Sequence, residues 1–154
     1  FDHYISDKLF DSAGTLSASS GHSARSSQFG SKRWLMNQTP VVHPLNDLLQ
    51  ACYQAVLLTD GGTEPSDLFR QSATADKAAG RIYYSQPEEL CARAFEAFVQ
   101  DSTSCSNSFL VSGTLGTDEA KMGLYPRGEH RVRINYLFGR YFSSLGQALR
   151  ASEA

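Results

Sequence analysis

The 154 residues are enough for one domain with a hydrophobic core, and the 41% hydrophobic and 11% aromatic content is ordinary for a globular protein. The formal net charge of −2 excludes a global electrostatic attraction to nucleic acid or to anionic membranes. No apolar run approaches the roughly 18 residues of a membrane-spanning helix, which argues against a membrane partner.

The first ten residues, FDHYISDKLF, have apolar side chains at positions 1, 4, 5 and 9, a spacing that predicts a helix. They show neither an initiator Met nor a signal-peptide pattern, so we expect a fragment whose first helix begins upstream. Residues 12–31 contain eight Ser and three Gly and predict a flexible loop. This loop is expected to lie within a single domain that spans residues 1–154.

The most regular amphipathic helix of the first half is predicted after Pro44, which suits a first helical turn, and Gly61-Gly62 is expected to end it. Its apolar stripe consists of Leu45, Leu48, Leu49, Cys52, Tyr53, Val56 and Leu57. A surface or capping position is expected for His43, directly before this helix. Residues 59–80 are polar and turn-rich, with one short helix expected over residues 66–71.

A second helix is predicted over residues 86–100, with Ser85 as its N-cap and Glu88 completing a capping box. Its apolar face consists of Leu90, Cys91, Ala94, Phe95 and Phe98. Residues 101–128 are loop-rich, with one short strand predicted at FLVSG, residues 109–113. A last helix is predicted over residues 128–150, weakened at Gly139 and Gly146.

These elements predict a mainly α domain of α+β class, with three or four main helices and little strand. We expect one shared core that includes Leu48, Leu49, Leu90, Phe95, Phe98 and Leu137. The three cysteines are odd in number and show no CxxC spacing, so neither a disulfide framework nor a cysteine zinc site is expected. Cys52 and Cys91 fall on apolar helix faces and are predicted to be small core residues, which fits a reducing intracellular setting.

Taken alone, the residues contain no complete catalytic constellation: the sequence has no HExxH, no nucleophile elbow and no phosphate-binding glycine loop. Three segments nevertheless resemble the first large polyvalent protein-associated domain of phage and plasmid polyvalent proteins. Residues 83–101, YYSQPEELCARAFEAFVQD, are similar to that family's YWSSPxELFARAFEAYVxD. The later NSFLVSG and YPRGEHRVRINYLFGRYF resemble its NDYLV and YPxGEERxRINxAFDxLF. FDHYIS, at the start, resembles the end of its HExGHxxDHYxG motif.

This family is a zincin-like metallopeptidase domain, distantly similar to the catalytic domain of anthrax lethal factor. There, HEFGHAVD is followed by a helix reading EFFAEAF, whose first Glu is the third zinc ligand. The resemblance therefore implies that Glu89 is a zinc ligand and that the second metal-binding His lies two residues before Phe1. It also implies a catalytic Tyr at the position of Ile82, so that Tyr83 or Tyr84 takes this role here. Asp2 is implied to orient a metal-bound imidazole.

The resemblance implies zinc-dependent peptide hydrolysis by the intact domain, with a peptide or protein as substrate. It implies a location in the host-cell cytoplasm, as a protein delivered with phage or plasmid DNA. Because HExxH is absent, no zinc is expected in this chain alone. In such a domain Glu89 should point toward the backbone of Phe1, within roughly 10–12 Å, the reach of the zinc bonds and a His side chain.

Other interpretations remain open from the sequence. Glu89 lies opposite the apolar face of its helix, where it and Arg93 would form an ordinary i, i+4 surface ion pair. The domain could then be a catalytically inactive structural or interaction module. A nucleic-acid-associated role would instead use the basic C-terminal segment, which contains Arg127, Arg131, Arg133 and Arg140 interleaved with Tyr125, Tyr136 and Tyr141.

Overall fold

The computed structural model describes residues 2–10, 29–102 and 111–153. Within these ranges it places seven helices: α1 Asp2–Leu9, α2 Gly30–Leu35, α3 Pro44–Leu57, α4 Asp67–Ala79, α5 Pro87–Asp101, α6 Asp118–Lys121 and α7 Gly128–Ser152. The only extended pairing among the described residues is one isolated antiparallel bridge between Leu58 and Pro65. The prediction of a mainly helical domain is confirmed. Residues 12–28 of the predicted Ser-rich loop and the first two residues of the predicted FLVSG strand, Phe109 and Leu110, lie outside the described residues.

Helices α3, α5 and α7 pack against one another around the core, while α1 and α2 pack together and α2 also contacts α5. Leu49 and Leu90 are fully buried at the centre. The remaining members of the predicted core are partly buried and pack against it, namely Leu48, Phe95, Phe98 and Leu137. The prediction of a shared core is therefore confirmed. Because Phe95 is only partly buried, its truncation should cost less than the loss of a fully buried ring.

The start of α3 agrees with its sequence signals. Pro44 occupies the first turn, and the Nδ1 atom of His43 accepts a hydrogen bond from the backbone N–H of Leu45 at 3.2 Å. His43 is thus a capping residue, as predicted. No helix in the described residues is both long enough and apolar enough to cross a bilayer.

Two helices depart from the predicted pattern. Helix α4 extends to Ala79, well beyond the short helix expected at residues 66–71, because Ser66 caps its start and Gly80 ends it in the left-handed conformation at φ 66°. Helix α2 begins within the stretch predicted as loop. Its Gly30 lies so close to α3 that a Cβ there would be 2.6 Å from the Tyr53 hydroxyl oxygen. This tertiary contact has no signature in the local sequence.

The predicted capping box at Ser85 is wrong. The N-cap of α5 is Gln86, whose side chain makes no capping hydrogen bond. Ser85 instead donates both its backbone N–H and its hydroxyl to the carboxylate of Asp76, at 2.8 and 2.6 Å. Glu88 does not reach back to the cap, and its carboxylate lies 4.0 Å from the Lys32 amine. A long-range acceptor on α4 has outcompeted the local motif.

Both described cysteines are core residues, as predicted: Cys52 and Cys91 are buried. Burial raises the pKa of the Cys52 thiol to about 12 and also raises that of Cys91. Neither thiol is therefore an ionised nucleophile at neutral pH. Cys105 lies outside the described residues.

Replacing Ser66 with alanine should lower the free energy of unfolding by about 1–2 kcal/mol. The buried Ser66 hydroxyl donates to the Val56 carbonyl at 2.7 Å and accepts from the backbone N–H of Phe69 at 3.2 Å, so its loss leaves two buried groups unpaired. Urea denaturation measures the effect. The control is Ser143→Ala at an exposed site on α7, which should change stability by less than about 0.5 kcal/mol. Equal urea midpoints for Ser66→Ala and Ser143→Ala would contradict this stabilising role of the Ser66 hydroxyl.

Candidate functional site

A cavity of about 400 Å³ lies where α1, α3, α5 and α7 meet. Its wall combines apolar side chains with four carboxylates. The lining residues are Asp2, Phe29, Leu49, Tyr53, Glu88, Glu89, Cys91, Ala92, Phe95, Glu96 and Phe138. An apolar pocket with a few polar groups is the usual form of a site for a small molecule or a substrate side chain. Two of the four site residues implied by the resemblance line this cavity, namely Asp2 and Glu89.

Asp2 is held at this cavity by donors from two other helices. Its carboxylate accepts hydrogen bonds from the Tyr53 hydroxyl at 2.7 Å, and from the backbone N–H and the hydroxyl of Ser31 at 2.9 and 2.5 Å. Burial, followed by the negative charge of Asp2, raises the pKa of Tyr53. The fixed carboxylate joins α1 to α2 and α3, and this contact orients the first helix.

Glu89 lines the same cavity from the first turn of α5. A hydrogen bond to the Glu89 carboxylate, together with that carboxylate's charge, raises the pKa of the Tyr83 phenol. The ring of Tyr84 packs edge-on against that of Tyr83, at 5.2 Å between centroids, and lies under the Arg93 guanidinium. Of the two tyrosines that the resemblance implies, Tyr83 is therefore the one whose phenol interacts with Glu89.

The expected distance from Glu89 to Phe1 falls outside the described residues, because these begin at Asp2. Asp2 itself shares the cavity with Glu89. The alternative ion pair requires Arg93 to extend along the helix surface toward the Glu89 carboxylate. Arg93 is instead buried, and its guanidinium donates to the Ser72 hydroxyl, to the Tyr84 carbonyl and to the backbone carbonyl of Glu89.

Glu88 is a further candidate residue of this site, which the sequence did not lead us to predict. Its Oε2 atom is buried and lacks a hydrogen-bond partner among the described residues, and its side chain lines the cavity next to Glu89. An unpaired buried carboxylate oxygen is costly unless a ligand or a further group satisfies it. Adjacent Glu residues in a first helical turn are common because the helix dipole favours them, so the sequence does not distinguish this one.

The donor set of the cavity does not fit a zinc ion by itself. It offers carboxylates, whereas a catalytic zinc site takes three protein ligands that usually include His. In the part of the chain that the structure describes, no group of three His, Cys, Asp or Glu side chains is arranged to hold a metal. His43 caps α3, and the ring of His130 is 2.7 Å from the Ala55 carbonyl oxygen.

Two arginines of α7, Arg131 and Arg133, bind other groups of the protein. Arg131 is buried and forms a two-point ion pair with Asp101, at 2.6 and 2.8 Å. Arg133 donates to the carbonyl oxygens of Ala55 and Leu58 at the end of α3, and it pairs with Asp60. Two of the four arginines considered for phosphate contacts are thus occupied by protein groups.

Comparison with known families agrees with the motifs in the second half of the chain. Residues 75–149 match the model of large polyvalent protein-associated domain 1. The match includes Tyr83, Glu89 and the whole of α5, and nearly all of α7. No curated protein and no solved structure matches the chain. Over residues 75–149 the chain is therefore similar to large polyvalent protein-associated domain 1.

Proposed function

We propose that this domain forms part of a zinc-dependent peptidase site, in which Glu89 is a metal ligand and Tyr83 is the hydroxyl donor beside it. The observation that carries the proposal is that Asp2 at the start of α1 and Glu89 at the start of α5, far apart in sequence, line one cavity. The two histidines would come from an HExxH segment that continues α1 upstream, as the resemblance implies.

The helical register of α1 supports this arrangement. In the motif that FDHYIS resembles, the two histidines precede Asp2 by three and by seven residues. Residues at those spacings share one helix face, and Asp2 already lies on the face that lines the cavity. At a rise of 1.5 Å per residue, the nearer His would lie about 4.5 Å from Asp2 along the helix axis. A continuous helix would thus direct both imidazoles toward Glu89.

The described residues have properties that suit peptide hydrolysis. The raised pKa of Tyr83 keeps its hydroxyl protonated at neutral pH, so it can donate a hydrogen bond to a developing oxyanion. The Tyr53 hydroxyl holds the carboxylate of Asp2 in place, on the face of α1 along which the two histidines would lie. The apolar wall formed by Leu49, Phe95 and Phe138 offers room for a substrate side chain.

The test uses the natural chain that carries this domain together with the HExxH segment. We expect about one zinc per molecule by elemental analysis, as a catalytic site of this type holds a single ion. Peptide hydrolysis should depend on that zinc. Glu89→Gln should lose both, because an amide is a poor ligand for zinc. The matched control is Glu96→Gln, which changes a carboxylate of the same cavity that instead accepts a hydrogen bond from the Tyr125 hydroxyl.

Three outcomes would contradict the proposal: a natural chain without an HExxH segment before α1, full zinc content in Glu89→Gln, or zinc loss equal in the two variants. The first outcome would favour an inactive interaction module. Salt-dependent binding to DNA, lost on removal of the exposed Arg127 and Arg140, would favour the nucleic-acid interpretation.

A further inference from the structure

Asp76, near the end of α4, has a carboxylate that the proposed site does not use. It is 4% exposed and accepts four hydrogen bonds: from the backbone N–H groups of Tyr83, Tyr84 and Ser85 at 3.1, 2.8 and 2.8 Å, and from the Ser85 hydroxyl at 2.6 Å. Burial alone would raise the pKa of Asp76, but these hydrogen bonds outweigh it and leave the pKa lowered. Asp76 is therefore ionised at neutral pH.

Arg93 holds the same segment from the other side. Its guanidinium donates to the Tyr84 carbonyl and to the Ser72 hydroxyl, and its Nε–H donates to the Glu89 carbonyl at 3.2 Å. The guanidinium also lies 5.5 Å from the centre of the Tyr84 ring. Asp76 thus satisfies the N–H groups of the segment and Arg93 satisfies a carbonyl, so the turn is attached to both α4 and α5.

This attachment determines where Tyr83 can lie. Residues 81–86 form no regular secondary structure, and the Tyr83 side chain is 43% exposed, so packing alone does not hold it. We infer that Asp76 and Arg93 are positioning residues, which fix the backbone of the turn at Tyr83 and so determine where the Tyr83 side chain lies relative to Glu89. A catalytic consequence of this role rests on the proposed function, whereas the positioning itself does not.

The experiment measures the Tyr83–Glu89 contact directly, on the metal-free 154-residue chain labelled with 3-fluorotyrosine. Fluorine NMR resolves the tyrosines, and Tyr83→Phe assigns the Tyr83 resonance. We expect Glu89→Gln to displace this resonance in the parent chain and to leave it in place in the Asp76→Asn background. The new amide would put a donor against the N–H and hydroxyl donors of Ser85, which releases the turn.

The matched control is Asp67→Asn, on the same helix, where an exposed carboxylate pairs with Arg70 at 2.7 Å. In the Asp67→Asn background, Glu89→Gln should displace the Tyr83 resonance as far as it does in the parent chain. Where circular dichroism shows Asp76→Asn to be unfolded, Arg93→Lys replaces it under the same criterion, because lysine cannot make the paired contacts to Tyr84 and Ser72. Two results would overturn the inference. One is a Tyr83 resonance that Glu89→Gln displaces equally in the parent and in the Asp76→Asn or Arg93→Lys background, and the other is no displacement in the parent. Since no zinc is present, this result is independent of the zinc and peptidase tests.

Discussion

Replacing Arg131 with alanine should lower the free energy of unfolding by about 2–3 kcal/mol, because it removes several hydrogen bonds made by a buried guanidinium, two of them to a charged carboxylate. The cost stays below that of breaking a fully buried ion pair, because the Asp101 side chain is 33% exposed. Arg131 is 6% exposed and connects the end of α5 to α7 and to the segment before α6. Beyond its two bonds to Asp101, it donates to the Thr114 hydroxyl at 2.8 Å and, more weakly, to the carbonyl oxygens of Ala97 and Pro126. Urea denaturation at neutral pH measures the loss.

The pH dependence separates the ion pair from simple packing. The hydrogen bond from Arg131 lowers the pKa of Asp101. A lowered folded-state pKa contributes stability that is present above the unfolded value of about 3.9 and is lost as the pH falls through the lowered value. The difference in the free energy of unfolding between the parent and Arg131→Ala should therefore become smaller in acid. Arg150→Ala, at an exposed site in the last turn of α7, should change stability by at most about 0.5 kcal/mol. A difference independent of pH would contradict the role of the ion pair.

Phe138→Ala should lower the free energy of unfolding by about 3–5 kcal/mol, since it removes an aromatic ring that is 4% exposed. This ring lies 5.9, 5.6 and 6.2 Å from the rings of Phe95, Phe98 and Phe142, so its loss leaves a void between α5 and α7. Calorimetry or urea denaturation measures the change. Because Phe138 also lines the cavity, the void would open into the candidate site.

The control for this prediction lies two residues earlier on the same helix. Tyr136 is 63% exposed, so Tyr136→Ala should change stability by less than about 1 kcal/mol. A cost for Phe138→Ala as small as that for Tyr136→Ala would show that the aromatic cluster does not stabilise the packing of α5 on α7.

Most of the fold was predictable because hydrophobic periodicity is a local property of the chain. The stripes of α3, α5 and α7 place Leu49, Leu90 and Phe138 in the core, as their spacing predicts. The errors arise where a distant group decides the outcome. Ser85 carries the local signature of an N-cap, but its donors bind the buried carboxylate of Asp76 on α4, a tertiary contact that the local sequence does not reveal.

The candidate site was predictable only in part, and for a related reason. The family motif identifies Glu89 and leaves the choice between Tyr83 and Tyr84 open, because a one-residue shift in a turn cannot be resolved from spacing. The contact between Tyr83 and Glu89 depends on how Asp76 and Arg93 hold the turn. Glu88 was missed because its burial against the cavity follows from the packing of α2 on α5.

We propose that Glu89 and an upstream histidine pair share one metal ion at this cavity. The most direct measurement is a crystal structure of the natural chain with its HExxH segment and bound zinc. We expect a Glu89 carboxylate oxygen at about 2.0–2.2 Å from the zinc, with the Tyr83 hydroxyl facing the open coordination position. Zinc bound elsewhere, or bound at the histidines with the Glu89 carboxylate outside bonding distance, would contradict it.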